Sequence, residues 1–266
     1  MKYKLIALDV DGTLLTDDHV LTDSVKQAVR EVHEAGAVLV LATGRSPTNT
    51  LPILEELGLE GLVITHNGAA VVESSDRRVI NKFPFHADEV LPVLRYCREH
   101  GIHFDVCSPF ELYVEKLGEE EKAMYEGFML QPKLVPDVQQ VDEPQVKLSI
   151  FSTEEKINRM EQDWTSLGSP LLLIRSGHRF LDVMNPEANK GHALRSLAGE
   201  WGIRREEVLA IGNYFNDLGM IEWAGLGIAM SNSPEGVKEK ADTVTRASNN
   251  ENGVAEALRE HVLGRV

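Results

Sequence analysis

The 266-residue chain has only two cysteines, Cys97 and Cys107, and their spacing fits no metal-ligand pattern. One possible bridge is not a secreted disulfide framework, so both read as reduced, packed thiols. Long apolar runs are missing as well. None approaches the roughly 18 residues of a membrane-spanning helix, and Lys2, Lys4 and Asp9 interrupt the opening before a signal-peptide core can form. A cytoplasmic address follows by default, with no membrane partner. Basic residues are scarce: 27 Lys and Arg stand against 42 Asp and Glu, a formal net charge of -15. That field repels a phosphate backbone, so no nucleic-acid partner is expected. Aromatics amount to only 6%, yet hydrophobic residues reach 42%, enough to bury a sizeable core and to exclude wholesale disorder. The length suits one large domain or two moderate ones.

What is present alternates. Residues 3–10 (YKLIALDV) form a short apolar run of the kind buried on both faces of a parallel sheet, ending in acidic residues and glycine. Thr22 reads as the cap of a helix with Val25, Ala28, Val29 and Val32 on one face and Gly36 as its stop. The strand 38–43 follows, then a helix capped by Ser46 with Pro47 at its first position, then a strand near 62–65. The alternation returns at the other end: a helix over 190–201, the strand VLAIG, a short helix after Asn216, the strand LGIAM, and helices near 235–240 and 252–263. Strand-helix alternation predicts a parallel sheet with helices on its faces. Between the two halves, 146–151, 171–176 and 179–184 are strand candidates, the last two an antiparallel hairpin, and 88–100 and 153–167 are helical. The expected fold class is α/β: a Rossmannoid parallel-sheet core over 1–82 and 185–266, with an inserted α+β cap domain over 83–184.

Chemistry gathers where the predicted parallel strands end, the edge at which open α/β sheets bind ligands. LDVDGTLL puts Asp9 at the end of a buried strand, Asp11 two residues on, and Gly12 free to turn sharply. Two carboxylates sharing one crevice resist joint ionisation, so the pair calls for a cation, a proton or a functional reason. LATGR adds Thr43, Gly44 and Arg45, whose hydroxyl and amides suit phosphate oxygens. NKG places Lys190 at a helix start, and GNYFNDLGM brings Asn213, Asn216 and Asp217, oxygen-rich chemistry that a hard divalent ion prefers. An anionic nucleophile reaches an anionic phosphoryl group only when a cation and fixed donors offset the repulsion. A carboxylate nucleophile splits the transfer into formation and hydrolysis of a phosphoaspartate, while a second carboxylate protonates the leaving oxygen and then activates water. Asp9 and Asp11 fit those roles.

In this order, with about a hundred residues inserted between the second and third, the four motifs resemble the haloacid dehalogenase superfamily, and within it the Cof-type phosphatases with a type IIB cap. The resemblance covers essentially the whole chain. It implies Asp9 as nucleophile, Asp11 as acid/base, Thr43 and Lys190 as phosphate-stabilising groups, and a Mg²⁺ site of Asp9, the Asp11 main-chain carbonyl, Asn213 and Asp217, with Asp217 and Asn216 also supporting the metal and the lysine. It further implies phosphate or substrate contacts for Gly12, Gly44, Arg45, Asn67 and Asn216, with Asn67 and Gly68 in a loop near the site. The implied activity is Mg²⁺-dependent hydrolysis of phosphomonoesters of small metabolites, sugar phosphates by default. A phosphotransferase or phosphomutase, or a weakly catalytic phospho-ligand-binding protein, is the alternative. One departure stands out: the family's usual Asp is Asn213 here, so a charged ligand becomes a neutral amide oxygen. Elsewhere the bland readings come first. The nine histidines show no ligand spacing, Trp164 and Trp201 read as packing residues, and Lys116 among its glutamates reads as solvated. Arg175, His178 and Arg179 read first as surface charge around the hairpin and second as substrate contacts.

Overall fold

The structure, a computed structural model, describes residues 2–128 and 130–265. It contains two compact units, Met1–Asn81 with Ala188–Val266, and Lys82–Glu187.

The first unit starts with β1 (Leu5–Leu8), whose four side chains are all buried, as a strand covered on both faces requires. The run ends earlier than its apolar character suggests, and the Asp9 amide makes one last ladder bond, to the Ile211 carbonyl at 3.0 Å. Helix α1 (Asp23–Glu34) is capped by Thr22, whose side chain accepts from the Val25 amide, and it buries Val25, Ala28, Val29 and Val32. Strand β2 (Val38–Ala42) and helix α2 (Pro47–Glu56) follow. Ser46 holds the N-cap position of α2 without a side-chain capping bond; Pro47 starts the turn instead, its fixed φ suited to a first helical residue. Strand β3 (Leu62–Thr65) leads through a tight turn to β4 (Ala70–Glu73), antiparallel to β3, and to β5 (Val79–Lys82).

The second unit runs through α3 (Ala87–His100), β6 (His103–Cys107), β7 (Leu112–Val114), α4 (Glu119–Gly127), β8 (Lys133–Leu134), β9 (Lys147–Phe151), α5 (Glu154–Leu167), β10 (Leu172–Gly177) and β11 (Phe180–Met184). Its six strands form one sheet in the order β10-β11-β9-β6-β7-β8. The expected hairpin is β10–β11, antiparallel, with a register irregularity between Arg175 and Gly177. Alternate residues such as Phe104, Val106, Leu148, Ile150, Leu181 and Val183 form a core with Val90, Val93 and Leu94 of α3 and Ile157 and Met160 of α5. Asp105, Ser149 and Asp182 pair across three central strands, so they share the opposite face.

The chain then re-enters the first unit as α6 (Lys190–Glu200), β12 (Val208–Gly212), α7 (Leu218–Trp223), β13 (Leu226–Ala229), α8 (Glu235–Lys238), β14 (Thr243–Val244) and α9 (Gly253–His261). The first unit's sheet has the order β14-β13-β12-β1-β2-β3-β4-β5. Its β14 to β3 segment is parallel throughout. One face packs Leu5, Ala7, Val40, Ala42, Ile64 and Ala210 against Ala193, Leu194 and Leu197 of α6 and Met220 of α7. Sequence order reverses on either side of β1, between β12 and β2, and such a switch point opens a crevice at the strands' carboxyl ends.

Candidate active site

Every motif singled out in the sequence reaches that carboxyl edge. Asp9 follows β1, Thr43 follows β2, Asn67 and Gly68 follow β3, Lys190 opens α6, and Asn213 follows β12. Lys190 is fully buried and donates from Nζ to Asp9 Oδ1 at 2.7 Å and to Asp217 Oδ1 at 2.6 Å. The other Asp217 oxygen, Oδ2, accepts the main-chain amides of Asn213 (2.8 Å) and Tyr214 (3.0 Å). Both Asp217 oxygens are thus committed to protein donors, which makes this residue a clasp for Lys190 and the Asn213 loop.

Burial sets the electrostatics. Desolvation and the neighbouring Asp217 push Asp9 up to about 7, against the opposing pull of Lys190. For Lys190, desolvation favours the neutral amine, but the two carboxylates overcome it and hold the ammonium charged, up to about 12. Two carboxylates to one ammonium leave the trio short of positive charge.

The remaining polar groups form two further clusters. Gly12 has φ +71°, and a Cβ placed on it would lie 2.3 Å from Asn213 Nδ2, so the Asn213 amide lies directly against the turn that follows Asp11. Asn232 Nδ2 donates to the Gly12 carbonyl at 2.8 Å. In the second cluster Asn67 Oδ1 accepts from Asn216 Nδ2 at 3.0 Å and lies 3.0 Å from where a Gly44 Cβ would stand. Asn67 therefore joins the loops after β2 and β12. His66, Asn67 and Gly68 all have positive φ, at 48°, 55° and 97°, and a Cβ on Gly68 would meet the Asn189 carbonyl carbon and oxygen at 2.3 Å. The left-handed turn brings main chain against main chain at the start of the Lys190 helix.

Asp11 is not bonded into the buried trio. Its carboxylate accepts from Arg45, Nε to Oδ2 at 2.8 Å and a terminal nitrogen to Oδ1 at 2.5 Å, and it remains 46% exposed. His19 Nδ1 stands 3.5 Å from the same Asp11 oxygen and 3.3 Å from the same Arg45 nitrogen. Thr43 is buried, and its hydroxyl accepts the Arg45 amide at 3.1 Å. His19 and Asn232 are two site neighbours that the sequence motifs do not include. His19 had no motif around it, while Asn232 stands just beyond the strand LGIAM, one more parallel-strand end that position alone could have flagged.

Among the described residues, no group of three His, Cys, Asp or Glu could hold a metal ion. The ligands implied by the resemblance are of mixed kind: the Asp9 carboxylate, the Asp11 main-chain carbonyl and the Asn213 amide oxygen. All are hard, and with the trio's missing positive charge they fit a hard divalent cation bound with less anionic help than three carboxylates would give.

In the second unit, Arg175 donates to Asn158, Glu161 and the Gly177 and His178 carbonyls, and Arg179 to Glu120 and the Ser152 carbonyl. His178 faces Glu154 at 3.3 Å. These hairpin residues spend their bonds on the unit's own structure. Cys97 and Cys107 are free and buried, and burial raises both thiols, Cys97 to about 12.

The sequence profile of haloacid dehalogenase-like hydrolases matches residues 6–258. The chain belongs to that family. It is 36% identical over 279 residues to YxeH of Bacillus subtilis (strain 168), an alignment covering 99% of this chain and all of YxeH. A haloacid dehalogenase-like hydrolase from Bacteroides thetaiotaomicron superposes with a TM-score of 0.86 at 30% identity, covering 97% of this chain and 99% of that one. The HAD subclass IIB sugar phosphatase BT4131 superposes at 0.84 with 26% identity, covering 97% and 98%.

Proposed function

We propose that this haloacid dehalogenase-like hydrolase is a Mg²⁺-dependent phosphatase that cleaves phosphomonoesters of small metabolites through a phosphoaspartate on Asp9. The observation that carries the reading is the buried Lys190 ammonium bonded to both Asp9 and Asp217. Lys190 occupies Asp9 Oδ1 and so leaves Oδ2 to attack phosphorus. As the new O–P bond forms, the P–O bond to the leaving group breaks, and Asp11 gives the departing oxygen its proton. Asp11 then takes a proton from water, whose oxygen displaces Asp9 from phosphorus and regenerates the carboxylate. Thr43 and Lys190 donate to the phosphoryl oxygens, and Gly12, Gly44, Asn67 and Asn216 shape the loops around them. Mg²⁺, when bound, lowers the repulsion between carboxylate and phosphoryl group; Asp9, the Asp11 carbonyl and Asn213 would hold it. Asp217 supports this arrangement through Lys190 and the Asn213 amide and is not itself assigned as a ligand.

Sugar phosphates are the favoured substrate class, in keeping with the structural likeness to a subclass IIB sugar phosphatase. We assign catalysis to the unit built from both chain ends and substrate selection to the Lys82–Glu187 unit. Among the described residues no helix is long and apolar enough to cross a membrane, and we place the enzyme in the cytoplasm, acting on free metabolites and not on nucleic acid. Phosphate release from p-nitrophenyl phosphate and a panel of sugar phosphates, with rising Mg²⁺, tests the reading. Asp9→Asn should abolish turnover. Wild-type release no faster than that control would overturn catalysis in favour of a phospho-ligand-binding protein, the reading Asn213 favours. Transfer to an added sugar alcohol in place of water would show a phosphotransferase.

A further inference from the structure

The family resemblance implies a phosphate contact for Arg45, but the geometry points elsewhere: we propose that Arg45 is the positioning residue for Asp11 and acts on the reaction only through that carboxylate. This rests on the phosphatase reading above. Arg45 meets Asp11 in the two-point fork that a guanidinium forms with a carboxylate, engaging both Asp11 oxygens. A point-charge ammonium fixes neither the plane nor the direction of its partner; the fork fixes both.

Three features hold the guanidinium in turn. The Arg45 amide donates to the buried Thr43 hydroxyl, and its carbonyl accepts the His66 amide at 2.9 Å, so the main chain is anchored on both sides. His19 brings its imidazole to the nitrogen that bonds Asp11 Oδ1. His19 has φ +58°, an uncommon conformation for a residue with a Cβ, within a turn closed by Thr16 and Val20. Beyond the Arg45 fork the Asp11 side chain meets only His19, at 3.5 Å from one oxygen, and it is nearly half exposed, so without Arg45 it would sample several rotamers.

A group that acts by orienting the leaving-group acid matters only where the leaving oxygen needs a proton. kcat/KM, which reports steps through release of the leaving group, should therefore split by substrate. For Arg45→Met, kcat/KM on a sugar phosphate should fall roughly 10²-fold, the cost of misplacing a reacting group by about an ångström. On p-nitrophenyl phosphate, whose phenolate leaves unprotonated, it should change less than about threefold. In an Asp11→Asn background, Arg45→Met should add no further loss on the sugar phosphate. Arg45→Lys, which keeps the charge and serves if the Met variant folds poorly, should show the same split with a smaller loss.

Equal losses on both substrates, or additive losses with Asp11→Asn, overturn the inference and return Arg45 to the phosphoryl group. A wild-type enzyme that turns over neither substrate overturns the phosphatase reading itself.

Discussion

Lys190 has no solvent around it, and its two bonds to carboxylates are what make its burial tolerable. Lys190→Met should therefore fail twice. Hydrolysis should drop to the Asp9→Asn level, and the stranded carboxylates should cost about 3 to 5 kcal/mol, the usual penalty for breaking a buried ion pair, measured by urea unfolding at neutral pH. A loss under about 1 kcal/mol would show that the trio is not coupled as described. Asn213 offers the opposite experiment. Asn213→Asp restores an anionic oxygen beside the Gly12 turn, so the Mg²⁺ concentration for half-maximal activity should fall by about tenfold or more. An unchanged titration counts against Asn213 as a ligand. The trio was readable from the motifs because Asp9 ends the buried strand β1, Lys190 opens α6 and Asp217 lies in the loop that follows β12. The Asp11–Arg45 fork was not, since it depends on side-chain directions from two loops 34 residues apart.

Elements were legible in proportion to how continuous their apolar pattern is. The buried parallel strands and α1, α3 and α5 carry clear stripes, whereas β7 and β8 have three and two residues and no stripe to show. Helix α4 buries only Tyr125, so its acidic face dominates the sequence there. The β4 and β5 pair shows in the sequence only as a polar stretch, 74–78, between two apolar pairs, a turn in which Asp76 accepts the Arg78 amide. Gly68 belongs to an element whose shape sets the site. Gly68→Ala would force a Cβ into the Asn189 main chain at a φ of 97°, and the start of α6 must shift. Stability should fall by more than about 3 kcal/mol and activity with it, while alanine at Gly199, where a Cβ meets nothing within 4 Å, should be harmless. Comparable thermal melts for the two variants would refute the close approach. In the second unit, burial lifts Asp105 on β6 from its ordinary 3.8 to about 6, with Lys147, Tyr125, Cys107 and Asp182 facing it. Folding thus favours the protonated acid: the contribution is complete below pH 4 or so and is lost as pH rises through 6. Asp105→Asn still accepts the Tyr125 hydroxyl and should be more stable than wild type by about 1 to 3 kcal/mol at pH 7.5, a gap that closes towards pH 5. A gap that widens on acidification would reverse the assignment.

The whole molecule contains two units with separate cores, of which only one carries the candidate metal donors. Mg²⁺ should therefore stabilise one unit selectively. At a hundred times its dissociation constant the ion should add about 2.7 kcal/mol to the unit that binds it. In hydrogen exchange, protection should rise in β1, β12 and α6 and stay unchanged in β6, β9 and β11. Uniform protection across both sheets would mean that the units do not open independently. EDTA should erase the difference.

The neighbour relation of β1 and β12 has a further consequence for biogenesis, because Leu8 pairs with Ile211 across two hundred residues of chain. On a ribosome adding about 5 to 20 residues per second, the first strand waits roughly 10 to 40 s for its partner, one greasy edge unclaimed, while the whole Lys82–Glu187 insert emerges and can complete its own sheet. Nascent chains that have released residue 187 but not yet residue 208 from the ribosome should thus carry a folded insert on an unfinished amino-terminal half, and that half is where chaperones would bind.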